Sequence, residues 1–488
     1  MACNNRLHFI LVPLMCPGHL LPMVDLARIL AGRGVAVTLV TTPANADRFR
    51  STILRAVHSG LDIRLHEIVF PSSDFGLPEG CENIDALPSM DLMMNFLNAA
   101  RTLRDPLGKF IEQVSPRPAG VISDKYLDWT AEVALNSGIP RILFDGMSCL
   151  TQVCTHNLLV SKAHEGLSGS AVVVIPGLPK NLEFRKSQLP GILNPGKNPD
   201  WQKAREEIFA LAEGAYGMIV NTFEGLESDY VKSLKEMKGG KVWCVGPLSL
   251  CNKDVVDMVE RGSKKSAACN EHLLPLMSWL DSQAENSVLY VCLGSLNRLL
   301  PEQMKELGFG LEASGRPFIW VIRGANKGEE FEEWLREGGY EERVSGRGFL
   351  IRGWAPQVLI LSHRAVGGFL THCGWNSSLE GISAGLPMVT WPLFAEQFFN
   401  EKVIVQISGV GVSVGAKLMI HLGEEEDHGV TITRDDVKDA VEEVMNEKGA
   451  VMRDRAKKLG EMARKALVTS GSSYNDLTMF LQDMAKDP

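Results

Sequence analysis

Short apolar runs alternate with helical patterns along most of this 488-residue chain. One such helical pattern, Leu20–Ala31, has Pro22 in its first turn and is followed by glycines, which is typical of a helix with a defined start and end. A succession of strand, helix and strand indicates a parallel sheet covered by helices on both faces. In the first half the predicted strands are Leu7–Leu14, Val35–Thr41, Gly120–Ser123, Arg141–Phe144, Gly217–Asn221 and Lys241–Val245.

The alternation breaks at Val245-Gly246-Pro247, where a polar, mixed stretch begins. A second alternating series follows, with predicted strands at Ser287–Leu293, Pro317–Ile322, Phe349–Ile351, Gly367–Leu370 and Leu386–Thr390, and charged helices from Thr433 to Lys486. We therefore predict an α/β protein of two Rossmann-like, doubly wound domains that face a cleft, since ligands bind at the carboxyl ends of such sheets. The expected domains are residues 1–247 and 271–470, joined by a linker at 248–270, part of which could be helical.

Composition excludes several classes of partner. The net charge is -9 and no long basic run is present, so we expect no nucleic-acid partner. The ten cysteines include no C-x-x-C pair, which leaves a zinc ribbon unsupported and suits a reducing compartment. No apolar run reaches the ~20 residues that a membrane span requires. Leu7–Cys16 is interpreted as a buried strand rather than a signal peptide, and we expect a cytoplasmic monomer.

A strand-to-helix turn in the second half is suited to an anion. Gly367–Thr371 reads as a strand, His372-Cys373-Gly374 as a turn and Trp375–Ala384 as a helix. Such a turn points free backbone N–H groups and the positive end of a helix outward, which favours a phosphate. Asn376 and Ser377 could cap the helix or donate to the same anion. The turn could equally be structural, with Trp354 a core aromatic and Glu380 a solvated helix residue.

The stretch from Trp354 to Gln397 carries a specific resemblance. Its opening W-A-P-Q, its core T-H-C-G-W-N-S and its closing E-Q resemble, without a gap, the signature box of the plant secondary-product UDP-glycosyltransferases, glycosyltransferase family 1. The similarity extends to the GH-x-x-P turn at Gly18, the FGLPEGCENID segment at Phe75–Asp85 and the SD-x-x-x-x-W segment at Ser123. The N-terminal segments most resemble the branch that acts on flavonoids and triterpenoids. This resemblance implies the two-domain GT-B fold, with residues 471–488 returning as a helix to the first domain.

The resemblance also implies a donor site for a UDP-sugar. It assigns Trp354 to stacking on uracil, which an aromatic ring can do. Ala355 and Gln357 would contact the uracil edge, and Glu380 would accept hydrogen bonds from the ribose hydroxyls. The diphosphate would be held by His372, Asn376, Ser377 and Ser295, and Gly18 and Gly374 belong to the same donor set.

The sugar and the acceptor receive fewer residues from the resemblance. Glu396 and Gln397 would bind sugar hydroxyls with Trp375 alongside, and Gln397 favours glucose over galactose, xylose, rhamnose and glucuronate. Met147 and Phe394 are the expected acceptor contacts, in a pocket built from loops near residues 70–94, 147–166 and 184–199. Met90, Met93 and Met94 could line this pocket or belong to the core. The expected partners are the UDP-sugar and a small lipophilic acceptor.

His19 and Asp124 are the expected catalytic pair. An acceptor hydroxyl is a poor nucleophile and needs a base, and the resemblance assigns His19 that role with Asp124 as its partner. A helix N-terminus disfavours imidazolium, which would keep His19 available as a base. Taken alone, each residue could be a helix cap. Lys125 would weaken the base if it paired with Asp124 instead.

The reaction implied is a single displacement with inversion and without a metal or other cofactor. The chain has no D-x-D sequence, so the usual ligands for a divalent-metal bridge are missing. An alternative is a catalytically inactive relative that only binds a small molecule. Gly381–Gly385 matches the G-x-S-x-G of serine hydrolases, but there the serine follows a strand, whereas Ser383 is predicted to end a helix.

Overall fold

The computed structural model describes residues 6–263, 273–323 and 329–486, so predicted linker residues 264–270 lie outside the described ranges. Two all-parallel sheets, each with helices packed around it, form the two halves of the molecule. The α/β class and the two Rossmann-like domains expected from the alternating pattern are therefore confirmed.

The first sheet has seven strands in the order β3-β2-β1-β4-β5-β8-β9. The sequence prediction missed β3, because its segment IRLHE alternates polar with apolar residues at the sheet edge and is only partly buried. An antiparallel hairpin, β6 with β7, lies apart from this sheet. The strands are β1 His8–Val12, β2 Ala36–Thr41, β3 Ile63–Glu67, β4 Gly120–Asp124, β5 Arg141–Asp145, β6 Val172–Val174, β7 Glu183–Arg185, β8 Gly217–Val220 and β9 Val242–Cys244.

The helices of the first half connect these strands. The first of them begins at Pro17 rather than at Leu20, so His19 lies in its first turn and Pro22 lies inside it. The helices are α1 Pro17–Gly32, α2 Pro43–Ala46, α3 Arg50–His58, α4 Met93–Arg101, α5 Arg104–Gln113, α6 Thr130–Asn136, α7 Cys149–Ser161, α8 Pro199–Ala212, α9 Glu224–Met237 and α10 Val255–Glu260.

The second sheet has six strands in the order β12-β11-β10-β13-β14-β15. The last strand is a short edge strand that the sequence prediction did not include. The strands are β10 Val288–Cys292, β11 Phe318–Ile322, β12 Gly348–Arg352, β13 Val366–Thr371, β14 Met388–Thr390 and β15 Gly411–Ser413. The helices in this part of the chain are α11 Leu273–Ser282, α12 Pro301–Ala313, α13 Glu329–Arg336, α14 Tyr340–Arg343, α15 Gln357–Leu361, α16 Trp375–Ala384, α17 Gln397–Lys402, α18 Arg434–Met445, α19 Ala450–Leu467 and α20 Ser472–Lys486.

The final helix, α20, packs against the first sheet although it follows the second in the chain. Phe480 is fully buried there, with its ring 5.3 Å from that of Phe9 and 5.0 Å from that of Trp243. Asp476 on the same helix accepts a hydrogen bond from the Lys235 ammonium at 2.9 Å and from the Cys244 backbone N–H at 2.8 Å. The chain therefore ends on the half in which it began.

The segment from 248 to 263 is structured rather than extended. It contains α10, and the carboxylate of Asp257 pairs with Arg28 on α1 and, at 2.7 Å, with Arg55 on α3. These contacts hold it against the first domain.

Both sheets reverse their winding direction at one place. Strand β1 lies between β2 and β4, and strand β10 lies between β11 and β13. In open parallel sheets the crevice at such a switch point is where ligands bind. The segments that leave β1, β4, β10 and β13 at their carboxyl ends therefore mark the candidate site.

Candidate active site

His19 and Asp124 meet at the switch point of the first sheet. His19 Nδ1 lies 2.6 Å from Asp124 Oδ2, and the other carboxylate oxygen of Asp124 accepts the backbone N–H of Tyr126 at 2.9 Å. The aspartate side chain is 2% exposed, whereas that of the histidine is 24% exposed. The carboxylate is thus fixed behind the ring, and the ring faces open space.

The surroundings of His19 favour its protonated form. Burial acts to lower the pKa of the imidazole, but the charge of Asp124 and its hydrogen bond outweigh burial, and the net pKa is raised. The helix N-terminus was expected to disfavour the imidazolium, but the net shift at His19 is in the opposite direction because of Asp124. With Nδ1–H donating to Asp124, Nε2 carries the lone pair, so the pair is suited to accepting a proton from a ligand.

Lys125 does not compete for Asp124. Its ammonium donates to Asp145 Oδ2 at 2.8 Å, and both side chains are almost completely buried. The weakening of the base that a Lys125–Asp124 pair would have caused is absent.

A pocket of about 230 Å³ lies between the two halves, with His19 in its wall. It is lined from the first half by the start of α1 and from the second half by the segments that follow β10 and β13. Every residue that the resemblance assigns to the donor lines this pocket: Gly18, Ser295, Trp354, Ala355, Gln357, His372, Gly374, Trp375, Asn376, Ser377, Glu380, Glu396 and Gln397.

The N-terminus of α16 forms one wall of this donor pocket. Its N-cap is Gly374, and no side chain caps the helix, so Asn376 and Ser377 are not the caps that one interpretation allowed. A Cβ at Gly374 would lie 2.4 Å from Nε2 of His372, so only glycine lets the ring reach this turn. Burial, with the nearby charge of Arg323, lowers the pKa of His372 to about 4, which leaves a neutral ring at pH 7. The wall therefore offers uncommitted backbone N–H groups and a neutral imidazole, which suit an anion.

A contact between the two halves crosses the pocket at Asn376. Its Nδ2 donates to the carbonyl oxygen of Gly18 at 2.5 Å. That carbonyl is left free within α1 because Pro22, four residues later, has no N–H. On the neighbouring residue, Trp375 Nε1 donates to the carbonyl oxygen of Asn221 at 2.7 Å. The start of α16 is thus joined to the first half through Trp375 and Asn376.

The other end of the pocket holds Trp354, Glu380 and Gln357. The Arg323 guanidinium lies over the Trp354 ring at 4.3 Å from the ring centre. Gln357 Nε2 donates to Glu380 Oε2 at 2.7 Å and to Ser377 Oγ at 3.1 Å. The side chain of Gln357 therefore holds the carboxylate of Glu380 in place, and its expected contact with the uracil edge stays a prediction.

Glu380 also pairs with an arginine that the sequence analysis did not identify. Arg261 Nη1 donates to Glu380 Oε1 at 2.5 Å, and Arg261 Nε and Nη2 donate to Asp25 Oδ2 at 3.0 and 2.8 Å. Asp25 lies on α1, so the guanidinium joins the two halves. No motif marked Arg261, because it falls in the polar stretch interpreted as a linker. Arg323 could have been found, since it directly follows β11 at the carboxyl end of the sheet.

Glu396 and Gln397 line the donor pocket together with His19. Gln397 Oε1 accepts the backbone N–H groups of Leu393 and Phe394 at 2.8 and 3.0 Å, which leaves only its Nε2 group for a ligand. Burial raises the pKa of Glu396, whose carboxylate accepts one hydrogen bond from Asn400 at 3.1 Å. This end is lined with groups suited to hydroxyls.

A second cavity, of about 840 Å³, opens on the other side of His19. Met147 and Phe394 were expected in an acceptor pocket, and both line this cavity as well as the donor pocket. Met90 and Met93 line it and Met94 does not. The three predicted loops contribute, and so does the segment Met419–Asp427, for which no sequence signal was recognised.

Three alternatives can be checked against the described residues. Ser383 lies near the end of α16 and before β14, the reverse of the order that a hydrolase nucleophile requires. Within residues 6–263, 273–323 and 329–486, no cluster of three or more metal-ligating side chains is found. Across the same ranges, no helix combines the length and apolar character needed to cross a bilayer.

Comparisons with known proteins show the family to which the chain belongs. Residues 252–456 match the family model described as UDP-glucoronosyl and UDP-glucosyl transferase. The chain is 49% identical over 485 residues to UDP-glycosyltransferase 73C3 of Arabidopsis thaliana, covering 99% of this chain and 97% of the relative. It is 50% identical over 483 residues to UDP-glycosyltransferase 73C12 of Barbarea vulgaris, covering 98% and 96%.

Solved structures of plant enzymes share the fold. The structure of Glycyrrhiza uralensis UGT73P12 complexed with glycyrrhetinic acid 3-O-monoglucuronide superimposes with a TM-score of 0.91 at 36% identity, covering 99% of this chain and 96% of the other. Arabidopsis thaliana UGT89C1 complexed with UDP-L-rhamnose gives a TM-score of 0.75 at 28% identity, covering 99% and 100%. Both are similar to this chain over nearly their whole length.

Proposed function

Because the chain belongs to the plant UDP-glycosyltransferase family, we propose that it transfers glucose from UDP-glucose to a hydroxyl of a small lipophilic plant metabolite, such as a flavonoid or triterpenoid. Transfer proceeds with inversion and without a metal or other cofactor. The observation that carries this proposal is the position of His19. Its ring lines both the donor pocket and the larger cavity, and its Nδ1 is held 2.6 Å from Asp124. A base at this junction can reach an acceptor on one side and a sugar on the other.

The reaction is a single displacement. His19 Nε2 takes the proton of the acceptor hydroxyl while the oxygen forms a bond to the anomeric carbon of glucose. The bond between that carbon and the phosphate oxygen breaks, and UDP leaves from the opposite face, so an α-linked donor gives a β-glycoside. The proton remains on the imidazolium, which the buried carboxylate of Asp124 stabilises.

The nucleotide is held without a metal in this proposal. The open N–H groups of α16, the neutral ring of His372 and the side chains of Ser295, Asn376 and Ser377 receive the diphosphate charge. Uracil stacks on Trp354, and the two ribose hydroxyls donate to Glu380, each of whose oxygens keeps a lone pair beside its protein hydrogen bond.

Glucose is the proposed sugar because Gln397 Nε2 and Glu396 can bind its hydroxyls. One hydrogen bond that separates two epimers is worth a few kcal/mol at most, so galactose, xylose, rhamnose and glucuronate are the competitors to test. The UGT89C1 structure holds UDP-L-rhamnose, which makes UDP-rhamnose a necessary member of the panel.

The direct test is UDP release by the purified protein with each UDP-sugar and a panel of flavonoids and triterpenoid aglycones. We expect UDP-glucose to give the highest kcat/KM, and His19→Ala to lower it by about 10²-fold or more. His58→Ala, at the exposed end of α3, is the matched control and should retain wild-type activity. Full activity in excess EDTA is required, and a loss restored by Mn²⁺ would contradict metal independence.

A catalytically inactive binding protein is the competing proposal. It predicts that UDP binds, for example by calorimetry, while no donor and acceptor pair turns over. His19→Ala would then change neither UDP binding nor any rate. Turnover of any pair that depends on His19 excludes this alternative.

A further inference from the structure

The larger cavity has an arginine in its wall that lacks an acidic partner. Arg205 on α8 lines the cavity and is half-buried. Within the described residues its guanidinium makes one hydrogen bond, from Nη1 to the carbonyl oxygen of Gly191 at 3.3 Å, and no carboxylate oxygen lies within 4.0 Å of it. A guanidinium has five N–H donors, so most of its hydrogen-bonding capacity is uncommitted.

The other cations of the cavity wall are paired. Lys125 donates to Asp145 at 2.8 Å, Lys197 to Asp427 at 2.7 Å, and His19 lies against Asp124. The pKa of His421 is lowered, chiefly by burial, so this ring is neutral at pH 7. Among the cavity-lining residues that the structure describes, Arg205 is thus the one permanent cation with no carboxylate beside it.

The position of the Arg205 guanidinium is restricted by its neighbours. It lies 5.0 Å from the centre of the Trp201 ring, within the range of a cation–π contact. A Cβ at Gly191 would come within 2.8 Å of the guanidinium carbon, so glycine leaves the room that the guanidinium occupies. Trp201 and Gly191 also line the cavity. An arginine held in this way loses little freedom when it binds a planar anion.

Burial acts against the charge that Arg205 carries. It lowers the pKa of the guanidinium, and the raising influence of the nearby Glu424 carboxylate does not cancel that effect. Even partial burial of a cation is costly when no anion is paired with it. The missing partner is therefore sought in the cavity itself.

Three acidic residues that line the cavity, Glu424, Glu426 and Asp427, do not fill this role. Glu424 Oε1 accepts the backbone N–H of Lys197 at 2.8 Å, and Asp427 is paired with the ammonium of the same lysine. Glu426 is exposed to solvent, so its field is screened by water.

We propose that Arg205 recognises an anionic group on the acceptor, and that preferred acceptors carry a carboxylate in addition to the hydroxyl that receives the sugar. This inference rests on the proposed function, because it treats the cavity beside His19 as the acceptor site. The Tyr126 ring packs edge-on against His19, with ring centres 5.6 Å apart, and its phenol is close enough to influence Arg205. The reacting hydroxyl would lie at His19 and the carboxylate at Arg205, both in the wall of the same cavity.

The test compares acids with their methyl esters, which keep the same hydroxyl and lose only the charge. Suitable pairs are glycyrrhetinic acid with its methyl ester, and 6-hydroxy-2-naphthoic acid with its methyl ester. Dissociation constants are measured by calorimetry in the presence of UDP, and kcat and KM with UDP-glucose. The proteins are the wild type, Arg205→Met, Arg205→Lys and the control Lys203→Met, an exposed cation two residues away on the same helix.

For at least one pair we expect the wild type to bind the acid about tenfold more tightly than the ester, as for a charge-assisted bidentate contact. In Arg205→Met this ratio should fall to about one, through the KM of the acid more than its kcat, whereas Lys203→Met should keep it. Arg205→Lys keeps the charge and serves as the second variant if the methionine variant does not fold, with a ratio between the two.

The proposal is overturned if no pair favours the acid, or if the preference survives in Arg205→Met. Binding is measured without turnover, so the two proposals can fail separately. If the protein binds the acid through Arg205 but transfers no sugar, the carboxylate site is supported and the proposed reaction is contradicted. If the protein glycosylates the acid and the ester equally, the proposed reaction is supported and the carboxylate site is contradicted.

Discussion

At the scale of the residue, Asp124 has two opposed effects on the imidazole of His19. A carboxylate at 2.6 Å makes the ring a stronger base, and the same carboxylate raises its pKa, so that more of the ring is protonated near neutral pH. Only the unprotonated ring can accept the acceptor's proton. The rate of the proposed reaction should therefore rise with pH as His19 loses its proton.

The raised pKa of His19 leads to a prediction for Asp124→Asn. In the wild type, the acid limb of kcat/KM against pH should have its midpoint above 6.5, the ordinary value for histidine. In Asp124→Asn the raising influence is lost while burial remains, so the midpoint should move to lower pH. The plateau should fall by about 10²-fold or more, since the imidazolium loses its counter-charge. An unchanged midpoint in initial-rate measurements across pH would contradict the assigned role of Asp124.

Chemistry-bearing side chains were predictable from the sequence where they follow a strand of a parallel sheet. His372 and Ser295 each follow a strand, and such strands end at a common edge. His19 and Asp124 were named by the same reasoning together with the family motif. Arg205 and Arg261 were not predictable, because one lies on a charged surface helix and the other in a polar stretch without periodicity. Their partners are distant in sequence, and only the fold brings them together.

At the scale of elements, two strands of the parallel sheets were not predicted because their sequences have no continuous apolar run. They become strands only because they pair with a neighbouring strand in the folded sheet. Residues 63–67 contain one fully buried position, and 411–413 are only three residues long at a sheet edge. Central strands such as β1 and β10 are buried at every position and were found from their apolar runs. A strand that is buried on both faces has a continuous apolar run that can be recognised in the sequence. A strand at the edge of the sheet has a weaker pattern of this kind.

The last helix gives a prediction about stability. Phe480 is fully buried between Phe9 and Trp243, whereas its neighbour Met479 is 48% exposed on the same helix. Replacing a buried phenylalanine by alanine costs about 3–5 kcal/mol. We expect Phe480→Ala to lower the thermal unfolding midpoint by about 6 °C or more, using the scaling for domains of 150–250 residues.

Met479→Ala is the matched control for this helix, because it removes a side chain of similar size without opening a cavity. Its midpoint, recorded by differential scanning calorimetry at the same scan rate, should lie close to that of the wild type. Equal midpoints for Phe480→Ala and Met479→Ala would mean that α20 does not contribute to the stability of the first half.

At the scale of the whole molecule, the two halves are joined across the donor pocket. The base is on α1, and six residues later on the same helix Asp25 binds Arg261, whose other nitrogen binds Glu380. Asp25 and Glu380 are 2% and 6% exposed. The residue proposed to deprotonate the acceptor and the residue proposed to bind the ribose are thus connected through one buried guanidinium.

The final prediction concerns Arg261→Met. Removing this guanidinium leaves two buried carboxylates without a cation, a change that typically costs 3–5 kcal/mol. We expect kcat/KM for UDP-glucose to fall by about 10²-fold, since Glu380 is no longer oriented toward the ribose. A readout specific to that orientation is the ratio of dissociation constants for UDP and 2′-deoxy-UDP. The wild type should prefer UDP by about tenfold, as for a hydrogen bond to a charged group, and Arg261→Met should show little preference.

A general loss of stability must be separated from a loss of orientation. Arg28→Met is the control, because Arg28 also joins α1 to the 248–263 segment, through Asp257 and Asn252, but does not line the donor pocket. It should lower the unfolding midpoint and keep the preference for UDP. Glu380→Gln should abolish that preference, and adding Arg261→Met to it should change the ratio no further, since both act on one contact. If Arg261→Met retained the wild-type ratio, the guanidinium would join the halves without positioning Glu380 for the nucleotide.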